Sequence, residues 1–243
     1  MIGRRAAYLL AVLGLTALTG TASAQGVTVD LGQGGISERA LQLVALVTVL
    51  SLAPSILVMV TSFTRIVVVL SLLRAALGTQ TAPPNTVLVS LALFLTAFIM
   101  APVFTQAYND AVVPLVAGQI QPQEALNRAT PPFRTFMLKH VREKDLRLFT
   151  DMAQEQAQAP DEVSMRALVP AFMISELRRA FEIGFLLFVP FLVIDLVVAS
   201  ILMSMGMMML PPIIVSLPFK LIFFVLVDGW NLVAGSLVES FVQ

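Results

Sequence analysis

The run IGFLLFVPFLVIDLVVASILMSMGMMMLPP occupies residues 183–212 and carries a single ionisable side chain, Asp195. A helix needs roughly 20 apolar residues to cross a bilayer, and this run is longer. It points to a membrane helix. Two features separate it from an ordinary span. Pro190 stands inside it, and its close, SMGMMMLPP, puts Met205 before Gly206 and Met207, Met208 and Met209 between that glycine and Pro211-Pro212. Leucine fills an apolar core equally well and specifies its shape better. Flexible thioethers placed where the backbone breaks therefore call for a reason.

The rest of the chain fits the membrane class. Of 243 residues, 58% are hydrophobic and 12% charged, with a mean hydropathy of +0.89; a soluble domain carries about twice that charge fraction. Absence of cysteine removes disulfides and cysteine-based zinc sites, and a lone histidine, His140, removes histidine-pair metal motifs. No cofactor is expected. Residues 1–24 read as a cleaved signal peptide: Arg4 and Arg5, an apolar run from Ala6 to Leu18, then the small residues Ala22-Ser23-Ala24. The remainder holds 13 basic and 15 acidic side chains, a balance that suggests neither nucleic acid nor a strongly anionic membrane surface as the main partner.

Residues 25–109 contain two apolar blocks, one of 25 uncharged residues between Arg39 and Arg65 and one of 35 between Arg74 and Asp110. Residues 183–243 hold two more, Ile183 to about Leu210 and Ile213 to Val238. Between them, residues 110–182 carry 19 of the 28 charges that follow the leader and read as a helical insert in water. Thr130-Pro131-Pro132 offers a helix start. Phe133, Phe136, Met137 and His140 then fall on one face, with His140 on that face or its rim. A cleaved leader puts the N-terminus outside, so the loop Thr64–Asn85, with Arg65 and Arg74 and no acid, lies in the cytoplasm and the insert in the periplasm.

Every apolar block contains proline: Pro54, Pro102, Pro190, Pro211, Pro212 and Pro218. Each removes a backbone hydrogen bond that lipid cannot replace. Asp195, Lys220 and Asp228 add charges that cost on the order of 3 kcal/mol each at mid-bilayer. Lys220 and Asp228 lie eight positions apart, roughly 12 Å along a helix, so Asp195 is the better partner for Lys220. These groups either pair inside one bundle or lie at contacts between subunits or along a lumen; the second reading is preferred. Arg65 either meets a neighbouring subunit or, as preferred, anchors a helix end by snorkelling. The expected fold is all-α: helical hairpins with Pro-broken helices and a small periplasmic insert, assembling into a ring or helical stack.

PSILVMVTSFTRIVVVLSLLRAALGTQTAPPN with ALFLTAFIMAPVF, and FMISELRRAFEIGFLLFVPFLVIDLVVASILMSMGMMMLPP, resemble the FliP family of flagellar biosynthetic proteins, which has relatives in injectisomes. The likeness runs from about Glu38 to Val238. It implies the core of the flagellar type III export gate: a pentameric homo-oligomer joined by FliQ-like and FliR-like subunits. FlhA-like and FlhB-like components and unfolded flagellar substrates are the other implied partners. The address is the inner membrane and flagellar basal body, where surrounding protein would shelter the prolines and charges. The same likeness places a methionine gasket at Met207, Met208 and Met209. Met203 and Met205 are lesser candidates, and Gly206, Pro211 and Pro212 the hinge. Ordinary packing at a helix end is the plainer alternative for the methionines. A small-solute transporter is the alternative function, disfavoured by few spans and no internal repeat. No catalytic constellation stands out, so an enzyme is not expected.

Overall fold

The computed structural model describes residues 36–155, 159, 162–207 and 210–242. The leader reading at 1–24 lies outside them, as do Met208 and Met209. The chain divides into two compact units, residues 1–49 and 50–243. Residues 36–49 of the first are helical, within α1 (Ile36–Val60). The second unit continues with α2 (Phe63–Leu77), α3 (Asn85–Ala107), a π-helical turn (Tyr108–Val112) and α4 (Val113–Val116). It then forms α5 (Pro122–His140), α6 (Glu143–Ala153), α7 (Met165–Ser204), α8 (Pro212–Leu226) and α9 (Gly229–Val242). The described residues hold no strand, so the fold is all-α.

Two helical runs, Asn85–Val116 and Met165–Ser204, are long and apolar enough to cross a membrane. Two bent pairs meet the same test together: Pro54–Val60 with Phe63–Leu77, at 83°, and Pro212–Leu226 with Gly229–Val242, at 63°. Their breaks fall at Thr61-Ser62 and Val227-Asp228, while Pro54, Pro102, Pro190 and Pro218 sit inside helices. At the first break Thr64 Oγ1 donates to Val58 O at 3.1 Å, so a side chain replaces a lost helical donor. At the second, Asp228 adopts φ 50°. A Cβ on Gly229 would stand 2.2 Å from the Phe224 ring, so only glycine fits.

Two expectations are corrected. Thr64–Asn85 is not a loop: the sequence FTRIVVVLSLLRAAL has no breaker before Gly78 and forms α2, which ends on that glycine in the left-handed region (φ 78°). The connection is the short stretch 78–84, and Arg74 alone serves it, donating to Asn85 Oδ1 at 2.6 Å. The charge argument for a cytoplasmic Thr64–Asn85 loop therefore loses Arg65. Likewise α5 does not start at Thr130. It starts at Pro122, which fills the first position, where a missing N–H costs nothing. Thr130 is interior, its hydroxyl donating to Leu126 O at 2.8 Å.

One core joins Ile66, Leu70 and Leu73 of α2 to Leu88 and Ala92 of α3, Phe191 of α7, Phe224 of α8 and Leu237 of α9. A second packs Met137 of α5 against Leu168 and Phe172 of α7, with Phe133 and Phe136 partly buried beside it. This is the face expected from the spacing of the aromatic residues. The 40-residue helix α7 serves both cores, running unbroken through residues 182 and 183 where the charges cease. At Gly184 a Cβ would lie 2.3 Å from Leu72 Cδ1, so glycine sets how closely α2 approaches α7.

Candidate functional site

The methionine-rich turn is built by a helix stop. α7 ends at Ser204, and Gly206 enters the left-handed region at φ 73°. Its N–H donates to Met203 O at 3.1 Å, and the Met207 N–H donates to Leu202 O at 3.0 Å. These paired bonds close the last turn as a Schellman motif, satisfying carbonyls that would otherwise be orphaned. Nothing stands within 4 Å of a Cβ placed on Gly206, so backbone conformation, not space, demands glycine there. α8 then opens on Pro212, with Pro211 extended before it. Thus α7 stops just before Gly206 and α8 restarts at Pro211-Pro212. Met203 and Met205 are 61% and 64% exposed, so neither packs inside this chain, whereas Met207 is half-buried.

Away from the turn, two charged clamps lie in the second unit. Lys220, 2% exposed, donates to Asp195 Oδ2 at 2.7 Å and to Ala76 O at 3.1 Å. Ser216 Oγ holds the other carboxylate oxygen at 2.5 Å. The ammonium meets the C-terminal turn of α2, where unpaired carbonyls favour a cation. Lys220 and Asp195 are therefore partners within one chain. Asp228, by contrast, is exposed and accepts from Asn231 Nδ2 at 3.1 Å.

Arg65 overturns the snorkelling expectation. It is 1% exposed and forks onto Glu176, 0% exposed, through Nε–Oε2 at 2.8 Å and Nη2–Oε1 at 2.5 Å. Nη1 donates to Ser240 O and Oγ at 3.0 and 2.9 Å. The guanidinium carbon lies 3.6 Å from the Phe241 ring centroid. The 83° bend before α2 turns this side chain inward, and a paired, hydrogen-bonded guanidinium tolerates burial where an unpaired one does not. Glu176 was hidden among the charges of the insert. Its signal was positional: Leu168, Phe172, Ser175, Glu176 and Ala180 are all buried on one face of α7.

His140 completes this neighbourhood. It packs edge-on against Phe136 and Phe241, with centroids at 4.7 and 5.2 Å. Burial, then the positive charges of Arg65, Lys139 and Arg179, push its pKa down to about 4, so the ring is neutral at pH 7. Nearby, Ser175 Oγ donates to Asp145 Oδ2 at 2.7 Å and accepts from the Arg142 N–H at 3.0 Å, fastening α6 to α7.

The chain has close counterparts among known sequences. The model of the FliP family matches residues 46–237. The flagellar biosynthetic protein FliP of Caulobacter vibrioides is 60% identical over 243 residues, covering 98% of this chain and 91% of that one. The protein of the same name from Rhizobium meliloti is 50% identical, covering 95% of this chain and 97% of its own. That from Bacillus subtilis is 54% identical, covering 82% and 91%.

Proposed function

The chain belongs to the FliP family, and from that premise we propose that several copies line the channel of the flagellar protein export gate, closed at rest by Met207, Met208 and Met209. It is a helical membrane protein of flagellum biogenesis and protein export. The finer reading adds a homo-oligomer, pentameric as the resemblance implies, with FliQ-like and FliR-like subunits and FlhA-like and FlhB-like components. The insert faces the periplasm.

The observation that carries the proposal is the stop of α7 at Gly206 with the restart of α8 on Pro212. It leaves Met207 outside both helices, with Met203, Met205 and Leu210 exposed nearby. Unbranched thioethers repack around side chains of any size, and a narrow apolar ring excludes water and ions by dewetting. Asp195, Lys220 and Arg65 are clamped within the chain, which leaves apolar surface as the main material for subunit contact. The test is the triple variant Met207→Ala, Met208→Ala, Met209→Ala in assembled complex. Higher resting ion conductance with assembly intact is expected. An assembled complex with unchanged leakage refutes the gasket.

A further inference from the structure

We propose that Arg142 and Arg179, with the apolar groove reached past Leu186, form a binding site for one anionic phospholipid. This goes beyond the gate reading and does not depend on it. Two pockets adjoin on α7 because Leu186 lines both. The first, of about 580 Å³, is lined by Arg65, Arg142, Arg179, Glu182 and Ile183, and by Ser240 of α9. The second, of about 250 Å³, has only apolar residues and a glycine in its wall, among them Leu187, Pro190, Phe191, Phe223 and Leu232.

The charges of the first pocket do not cancel. Arg65 is held by Glu176, and Glu182 is held by Arg178 Nε at 2.9 Å. Arg142 faces Asp145 only distantly, its Nε 3.8 Å from Oδ2, and its Nη1 is buried without a hydrogen-bond partner. Arg179, half-buried, forms no ion pair within 4 Å among the described residues, and its charge acts on Glu176 only at longer range. Four arginines (65, 142, 178, 179) thus meet three carboxylates (145, 176, 182), and His140 is neutral at pH 7. One positive charge is left over. A phosphodiester carries one negative charge, and its oxygens suit two guanidinium groups.

Position selects the lipid over other anions. Glu182 is the last charge before the run Ile183–Ser204, so the basic pocket lies at the polar end of an apolar helix, where headgroups sit. Arg179, Ile183, Leu186 and Pro190 follow at helical spacing, leading from headgroup level into the groove over roughly 16 Å. A carboxylate from a protein partner would satisfy the arginines and leave the groove unfilled. One lipid occupies both.

The test uses the full chain in detergent with dioleoyl-phosphatidylglycerol, read by native mass spectrometry. One lipid per chain is expected, with phosphatidylcholine retained at least tenfold less. Arg142→Gln with Arg179→Gln should lower retention ~10-fold or more, since two charge-assisted hydrogen bonds are lost. Arg179→Gln alone, at a half-exposed position, provides the same readout if the double variant does not fold. Equal retention of the two lipids, or undiminished retention by the variants, overturns the proposal. So does full displacement by millimolar inorganic phosphate, which makes it a free-anion site. Loss of self-association with lipid retention unchanged overturns it too, in favour of a protein contact.

Discussion

Replacing Glu176 with glutamine should be among the most damaging single changes in the chain. Arg65 and Glu176 are 1% and 0% exposed, and their fork is reinforced by Ser240 and Phe241. Removing one member of such a pair strands the other charge away from water and costs about 3–5 kcal/mol. At about 2–4 °C per kcal/mol for a chain of this length, the melting temperature should fall by roughly 6–20 °C. The magnitude is not the attraction between the charges; it is mostly the desolvation of the guanidinium left behind. A double variant, Arg65→Met with Glu176→Leu, removes that penalty and should recover much of the loss. The assay is thermal unfolding of the detergent-purified protein, followed by circular dichroism, for wild type, both singles and the double. A single-variant shift below about 2 °C, or a double no more stable than the worse single, refutes the clamp.

Three further changes probe other parts of the fold. Gly206→Ala should destabilise by about 1–2 kcal/mol through its left-handed backbone alone, and Gly206→Asn by less, compared by thermal unfolding. Gly184→Ala should cost about 1–3 kcal/mol by driving a methyl into Leu72, and adding Leu72→Ala should relieve part of it; no relief would place the cost elsewhere. His140 has a folded pKa of about 4 against 6.5 unfolded, so the unfolded state binds more protons between those values. The His140 contribution is therefore present above pH 6.5, declines as pH falls toward 4, and His140→Phe should flatten that part of a stability–pH profile.

Sequence pattern revealed what depends on local chemistry. Long uncharged runs gave the apolar helices, and Gly206 with Pro211-Pro212 gave the break after α7, because glycine and proline act on their own backbone. The Phe133, Phe136, Met137 and His140 face was visible because helical periodicity is local too. Arg65 was misread because its fate depends on Glu176, 111 positions away, and on a bend made by Thr61-Ser62 rather than by proline. The start of α5 was misread because Pro131-Pro132 resembles an opening, and an interior pair of prolines is tolerated only where packing supports it. Distance along the helix makes Asp195 the partner of Lys220, but the preferred placement at subunit contacts or along a lumen does not foresee their pairing within one chain, and the Lys220 bond to Ala76 O needs a third helix that no spacing announces.

The two clamps explain one another when placed along α2. Arg65 stands in its first turn and is tied to Glu176 of α7. Ala76 stands in its last turn and is tied through Lys220 to Asp195 of the same helix. Leu72 meets Gly184 between them. The order 65, 72, 76 matches the order 176, 184, 195, so α2 runs in the same direction as α7. Parallel neighbours place like ends of their dipoles side by side, and a cation at the α2 C-terminus offsets that. An apolar contact alone could slide along this pair, since one leucine replaces another at little cost. The buried Arg65–Glu176 pair at one end, and at the other the buried Lys220 ammonium that donates to Ala76 O while paired with the half-buried Asp195, cannot slide without stranding a charge. Register between α2 and α7 is thereby fixed by charge, and the apolar outer faces (Phe185, Val189, Leu192, Leu196 and their neighbours on α7) are presented in a fixed pattern by a frame that need not rearrange when another surface meets them.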